Sequence, residues 1–187
     1  TPAPSIQDLI LRSSLFQTSQ LSVNINIMND NLPSNEGVSL PVSASSLRSS
    51  NVEDVDKAVS KLNSIFNGPD KLSTKGPILS FLIAQSKSPE IAENLSNSMI
   101  LSQLPQFAND TKNNQLACLF LMLFGSLISN SSIIYKSYIK EEKVELIEKL
   151  CSSQDEFVTA KAVACIGELI SFVVRTNENK KLTLYKS

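Results

Sequence analysis

The sequence predicts an all-α chain built as an α-solenoid of about two to three repeats, preceded by a partly irregular N-terminal segment. Three observations carry this. Apolar residues recur at three- and four-residue spacing through most of the chain after residue 50, the period of an amphipathic helix. Two stretches, LFGSLI at 123–128 and CIGELI at 165–170, carry the same pattern, with Gly125 and Gly167 42 residues apart. The same offset lays Ile91 on Ile133, Leu104 on Leu146, Ala108 on Leu150, Cys118 on Ala160, Leu121 on Val163, Leu127 on Leu169 and Ile128 on Ile170. A period near 42 in helical sequence marks units that bury their apolar faces only by stacking on one another.

The elements follow in order. In residues 1–49, the stretch 6–16 has the spacing of a short amphipathic helix capped by Ser5. Leu21, Val23, Ile25 and Ile27 alternate with polar residues, and one such strand without a partner reads as an extended segment. Residues 29–50 are rich in Asn, Ser and Pro and read as irregular. The helical repeat domain is expected over 50–187, its best repeats at 91–130 and 133–172. Ser50-Asn51-Val52-Glu53 reads as a capping box, and Val52, Val55, Val59, Leu62 and Phe66 share the face that follows. Gly68-Pro69 stops that helix. A second helix is expected over 78–85, after Gly76-Pro77, and a third from Ser88-Pro89-Glu90 to about Leu104, where Pro105 bends or interrupts it. Four more are expected at 114–130, 133–139, 141–151 and 155–175. Asn177 to Lys181 reads as a polar exit. Glycines in register within two helices point to close approach of a neighbouring helix, since Gly there costs up to about 1 kcal/mol relative to Ala.

Composition excludes several chemistries. The net charge is −1 and the pI about 5.5, which lacks the basic face that nucleic acid requires. The chain has no His, which removes His-based triads, metal sites and acid–base chemistry. Its five Gly are too dispersed for a phosphate-binding loop, and no G-x-S-x-G elbow occurs. Paired carboxylates at Glu141-Glu142, Glu145 with Glu148, and Asp155-Glu156 lie among lysines on expected wet helix faces. No enzyme activity, cofactor or metal is therefore expected. Cys118, Cys151 and Cys165 do not have metal-ligand spacing and read as buried free thiols in a reducing, intracellular and cytoplasmic setting. In that setting the glycosylation triplets at Asn94, Asn109 and Asn130 carry no meaning. The longest apolar run, 116–128, is thirteen residues, short of the roughly 20 a membrane span needs, so no span is expected. The chain begins with Thr-Pro rather than Met, without a visible signal peptide, and reads as a fragment of a larger protein.

Residues 157–170, FVTAKAVACIGELI, resemble the third helix of an armadillo repeat, with small residues in mid-helix before a small or polar residue and Leu-Ile. The resemblance to the armadillo/HEAT superfamily covers about residues 89–175 and implies a right-handed solenoid. It also implies that the third helices line a groove for a protein or peptide partner. Carried over, Lys161, Glu168 and Arg175 at seven-residue spacing, with Ser171 between, form a partner-binding stripe. The positions aligned one unit earlier are Leu119, Ser126, Ser129 and Ile133, of which Ser126 and Ser129 extend it. The stripe lacks the paired aromatic and Asn ladder of peptide-binding armadillo grooves, which points away from importin-like capture. A solvated helix face is the plainer reading of the same residues.

The expected function is thus a non-catalytic protein-interaction scaffold. Two alternatives use the same residues: a regulatory helical region of a larger enzyme such as a protein kinase, or a compact helical bundle without true repeats. A bundle predicts helices packed antiparallel around one core.

Overall fold

The computed structural model describes residues 40–184, with side chains described through Thr176. The expected helix at 6–16 and extended segment at 21–27 lie outside the described residues. Among the described residues there are eight α-helices, one 3-10 turn and no strand. They are α1 (Ala44–Leu47), α2 (Val52–Phe66), α3 (Leu72–Gln85), α4 (Pro89–Ser96), α5 (Met99–Asp110), α6 (Asn114–Asn130), α7 (Glu141–Leu150) and α8 (Glu156–Leu184). The 3-10 turn, Lys136–Tyr138, lies between α6 and α7. The described residues are all-α, as the periodicity predicts.

Several boundaries differ from the sequence reading, each for a local reason. The cap of α2 is Asn51, whose Oδ1 accepts from the Glu53 amide at 3.0 Å, so Ser50 lies outside the helix. Helix α3 starts at Leu72 and runs through Gly76-Pro77 instead of following it. A residue before proline resists the helical region because its Cβ meets the proline ring, and Gly76 has no Cβ. The Ser73 carbonyl that loses its partner at Pro77 belongs to an exposed residue, so water can satisfy it. Proline does not interrupt α5 either, since Pro105 sits inside it. The break comes earlier, at Asn97-Ser98, where the Ser98 Oγ donates to the Leu95 carbonyl and Ser98 becomes the cap of α5. The helix expected over 133–139 reduces to the 3-10 turn. Asn97 explains this: its Nδ2 donates to the Ile133 carbonyl at 2.9 Å and its Oδ1 accepts from the Tyr135 amide at 2.9 Å. Ser96 and Glu93 add bonds to Ser131 and Ser132, so α4 takes up backbone and hydroxyl groups of this segment. Helix α8 continues through Asn177–Lys181, which contain neither Gly nor Pro to stop it.

Helix α6 is the centre of the packing. It touches α3, α4, α5 and α8, while α5 and α8 also pack on α7. Ten of its residues are buried, consistent with its nearly continuous apolar sequence. Phe120 of α6 joins Phe66 of α2 and Phe107 of α5 in an aromatic cluster, with ring centroids 5.3 to 5.9 Å apart. Helices α3, α6 and α8 begin at Leu72, Asn114 and Glu156, a constant step of 42 residues. Helices α5 and α7 begin at Met99 and Glu141, the same step.

Helices α6 and α8 lie side by side in the same direction. At their starts the Asn114 Nδ2 donates to the Asp155 Oδ2 at 2.7 Å. In the middle the Cys165 Sγ–H donates to the Leu121 carbonyl at 3.0 Å. At their ends the Arg175 guanidinium reaches the Ile128 and Ser129 carbonyls at 3.5 and 3.4 Å, a cation at a helix C-terminus.

The two glycines have different surroundings. A Cβ at Gly125 would stand 3.6 Å from the Cys165 Sγ and 3.9 Å from the Glu168 Cγ, an ordinary contact that leaves no room beyond it. A Cβ at Gly167 would meet nothing within 4 Å. The expected close approach is therefore present at Gly125 alone. Gly125→Leu is expected to push α8 off α6 and lose about 1–3 kcal/mol by overpacking. Gly167→Leu keeps the helicity of the native chain. Circular dichroism and urea unfolding check both; equal losses would contradict the assignment.

Candidate functional site

The stripe expected to bind a partner divides in three. Ser171 and Arg175 are exposed. Lys161 and Glu168 are half-buried, with the Glu168 Cγ lying over Gly125. Arg175 also stands 6.0 Å from the centre of the Phe172 ring while it caps α6. Ser129 is half-buried at that same end, its carbonyl taken by Arg175. Ser126 is drawn elsewhere: its Oγ is 2.6 Å from the Ser86 Oγ at the end of α3, and its carbonyl accepts from Asn130. The structure thus gathers Ser129, Ser171 and Arg175 at one end of the α6–α8 pair. It places Lys161 and Glu168 along the seam and Ser126 at the α3–α6 contact.

Beside that seam lies an apolar face that charge-based reasoning passed over. Phe157, Val163 and Val174 are 58%, 46% and 49% exposed, and Ala160, Ala164 and Ser171 are exposed between them. The signal was present in the sequence: Phe157, Ala160, Ala164, Gly167, Ser171 and Val174 alternate at three and four residues, the spacing of a helix-pairing seam. Within the same helix, the stretch Glu156–Thr176 has 21 residues and contains an 18-residue window of mean hydropathy 1.9, long and apolar enough to cross a membrane by length and composition. The unbroken apolar run that set the sequence expectation misses this, because Lys161 and Glu168 interrupt it without lowering the average much. The inner side of α8 packs on α6 and α7.

A second feature is Lys75, which precedes the helix expected over 78–85 and lies within α3. It is 2% exposed. Its Nζ donates to the Phe66 carbonyl at 2.9 Å and to the Asp70 Oδ1 at 2.7 Å. A cation from α3 thereby closes the C-terminus of α2, where the helix dipole favours it. The Lys75 side-chain hydrogen bond, opposed by partial desolvation, holds the Asp70 carboxyl below its ordinary value. A cleft of about 380 Å³ opens beside this pair, walled by Phe66, Phe107 and Phe120. Another carboxylate, Asp110, also lines it, so the cleft offers no net positive charge to an anion.

Burial governs the thiols. It pushes Cys118 up to about 11 and Cys165 up to about 12, and it raises Cys151, which is half-buried. The thiolate is the reactive form. At neutral pH, Cys151 is expected to be the first site alkylated in the folded chain, with Cys118 and Cys165 reacting only after unfolding. Mass spectrometry of alkylated peptides checks the order. Fast labelling of Cys165 in the folded chain would contradict the packing of α8 on α6.

Among the described residues no three Cys, Asp or Glu side chains gather where a metal ion could be held. Comparison with protein-family models, with curated proteins and with solved structures finds no match.

Proposed function

We propose that the chain is a non-catalytic α-solenoid scaffold of the armadillo/HEAT type, which binds a protein or peptide partner along the α6–α8 seam and the outer side of α8. The observation that carries this reading is the parallel pairing of α6 and α8 in register with the 42-residue step. Equivalent helices of stacked units run the same way and each packs on the next, and α6 packs on both α3 and α8, which begin one step of 42 before and after it. The long-range side-chain hydrogen bonds fit too: Ser86 with Ser126, Asn97 with Tyr135, and Asn114 with Asp155 each join residues about one unit apart. The free thiols fit an intracellular, cytoplasmic setting.

A photo-crosslinking side chain placed at Ser129, and separately at Ser171, tests the reading in extracts of the source cells. The expected result is capture of one and the same protein from both positions. The same group at Glu148, on the exposed side of α7, should capture none. Failure to capture any protein from the seam, or equal capture from Glu148, would remove the scaffold reading.

A further inference from the structure

The exposed face of α8 repeats a face that is already occupied elsewhere. On α6, the residues that meet α8 are Asn114, Leu121, Gly125 and Ser129. One step of 42 on, the corresponding residues of α8 are Glu156, Val163, Gly167 and Ser171. Asn114 meets Asp155 just before α8, Leu121 and Ser129 meet side chains of α8, and the Cβ position of Gly125 faces Cys165, whereas the α8 counterparts stand open: Val163 is 46% exposed and Gly167 has nothing within 4 Å of its Cβ position. The surface is shaped to receive a helix at close distance.

We propose that the occupant is α8 of a second copy of this chain, packed antiparallel across Ala164 and Gly167. The proposal rests on the scaffold reading of this face and names its partner. Charge selects the partner and the direction. With Phe157, Ala160, Ala164, Gly167, Ser171 and Val174 as the seam, Lys161 and Glu168 fall on one flank, and Val163 and Ile170 on the other. In the antiparallel pair, like flanks meet. Lys161 of each copy then stands beside Glu168 of the other, twice by symmetry, and Val163 beside Ile170, also twice. A parallel pair would instead set Val163 beside Glu168 and Ile170 beside Arg175, two mismatches per side. Along the antiparallel seam Ala160 meets Ser171, Ala164 meets Gly167, and the larger Phe157 and Val174 close the two ends. Small residues at the crossing let the backbones approach, and large ones at the ends fill the widening gap. A lipid surface fits less well, because Lys161, Glu168 and Arg175 run the length of one flank.

Light scattering coupled to size exclusion on the 187-residue chain tests this. The expected mass is that of a dimer. Gly167→Leu should yield a monomer with unchanged far-ultraviolet circular dichroism. Lys161→Glu and Glu168→Lys should each weaken the dimer about tenfold by turning two attractive flank contacts repulsive. The double variant carrying both should restore it. Should Gly167→Leu fail to fold, a mixture decides: chains carrying Ala160→Cys should form a disulfide with chains carrying Ser171→Cys, and neither should form one with itself. A monomeric chain at every concentration, or a dimer indifferent to Gly167→Leu and to both charge reversals, overturns the proposal. So does a monomer that floats with phosphatidylcholine vesicles unless Gly167 is replaced. If the chain is monomeric while a crosslinker at Ser171 captures a different protein, the dimer falls and the scaffold reading stands. If neither a dimer nor a captured protein is found, both fall.

Discussion

Phe120→Ala is expected to destabilise the chain by about 3–5 kcal/mol, the usual loss for truncating a buried aromatic ring. Phe120 is 1% exposed and sits mid-way along α6, the helix at the centre of the packing. Its ring meets Phe66 edge-on at 5.3 Å and Phe107 at 5.5 Å, so its removal opens a void bordered by α2 and α5. The neighbours cannot close it easily: Phe66 is held by the end of α2, whose carbonyl is bonded to Lys75. Against a total stability of about 5–15 kcal/mol, this is a large fraction. Urea unfolding followed by circular dichroism measures it. A loss below about 1 kcal/mol would mean that α2, α5 and α6 do not share this cluster.

Asp70→Ala is expected to cost about 1–3 kcal/mol. The reason lies in its partner. Lys75 is nearly inaccessible, and without Asp70 its ammonium keeps only the Phe66 carbonyl. The Asp70 side chain is 39% exposed, so water replaces part of the lost interaction and the effect stays toward the lower end. Lys75→Met should lose less than Asp70→Ala, because it removes the buried charge itself and keeps the volume. The pH dependence has a definite sign. Asp70 titrates below its ordinary 3.8 when folded, so its contribution is fully present above that value. It is lost as pH falls through the lower, folded value. The native chain should therefore lose stability more steeply below about pH 4 than Asp70→Asn, with parallel behaviour between pH 5 and 7. Parallel curves through the acid range would show that the pair does not form.

The long apolar helices were legible because their burial is written in many residues at once. Helices α6 and α8 appear in the sequence at their observed starts, within a residue, and with them the step of 42. What stayed hidden depended on single residues acting on distant backbone. Gly76-Pro77 looks like a helix stop, and it is tolerated inside α3 only because the residue before proline is glycine. The segment after α6 has helix-forming residues, but Asn97, more than thirty residues away, takes its backbone groups. Lys75 drew no notice in the sequence because its bonds to the Phe66 carbonyl and to Asp70 exist only once the turn between α2 and α3 has folded. On the candidate surface, the charged residues were visible as a row, and their division between seam, cap and open face was not. That division follows from the crossing of α6 and α8 at Gly125 and Cys165, a tertiary contact. The apolar seam of α8 was written in the sequence at three- and four-residue spacing, but periodicity alone does not say which of two apolar faces is covered.

If the chain is a stack of units, its equivalent helices are related by one repeated displacement. Ser73, Gln115 and Phe157 are exposed second residues of α3, α6 and α8, each 42 residues from the next. Nitroxide labels placed on them in pairs, with the labelled chain diluted into unlabelled chain, report the spacing by electron paramagnetic resonance. Neighbouring packed helices lie about 10 Å apart. Stacked units predict equal distances for the 73–115 and 115–157 pairs, and a 73–157 distance of about twice that, near 20 Å. A 73–157 distance no longer than the other two would mean that α3 and α8 close around a common core, and the repeat account would be wrong.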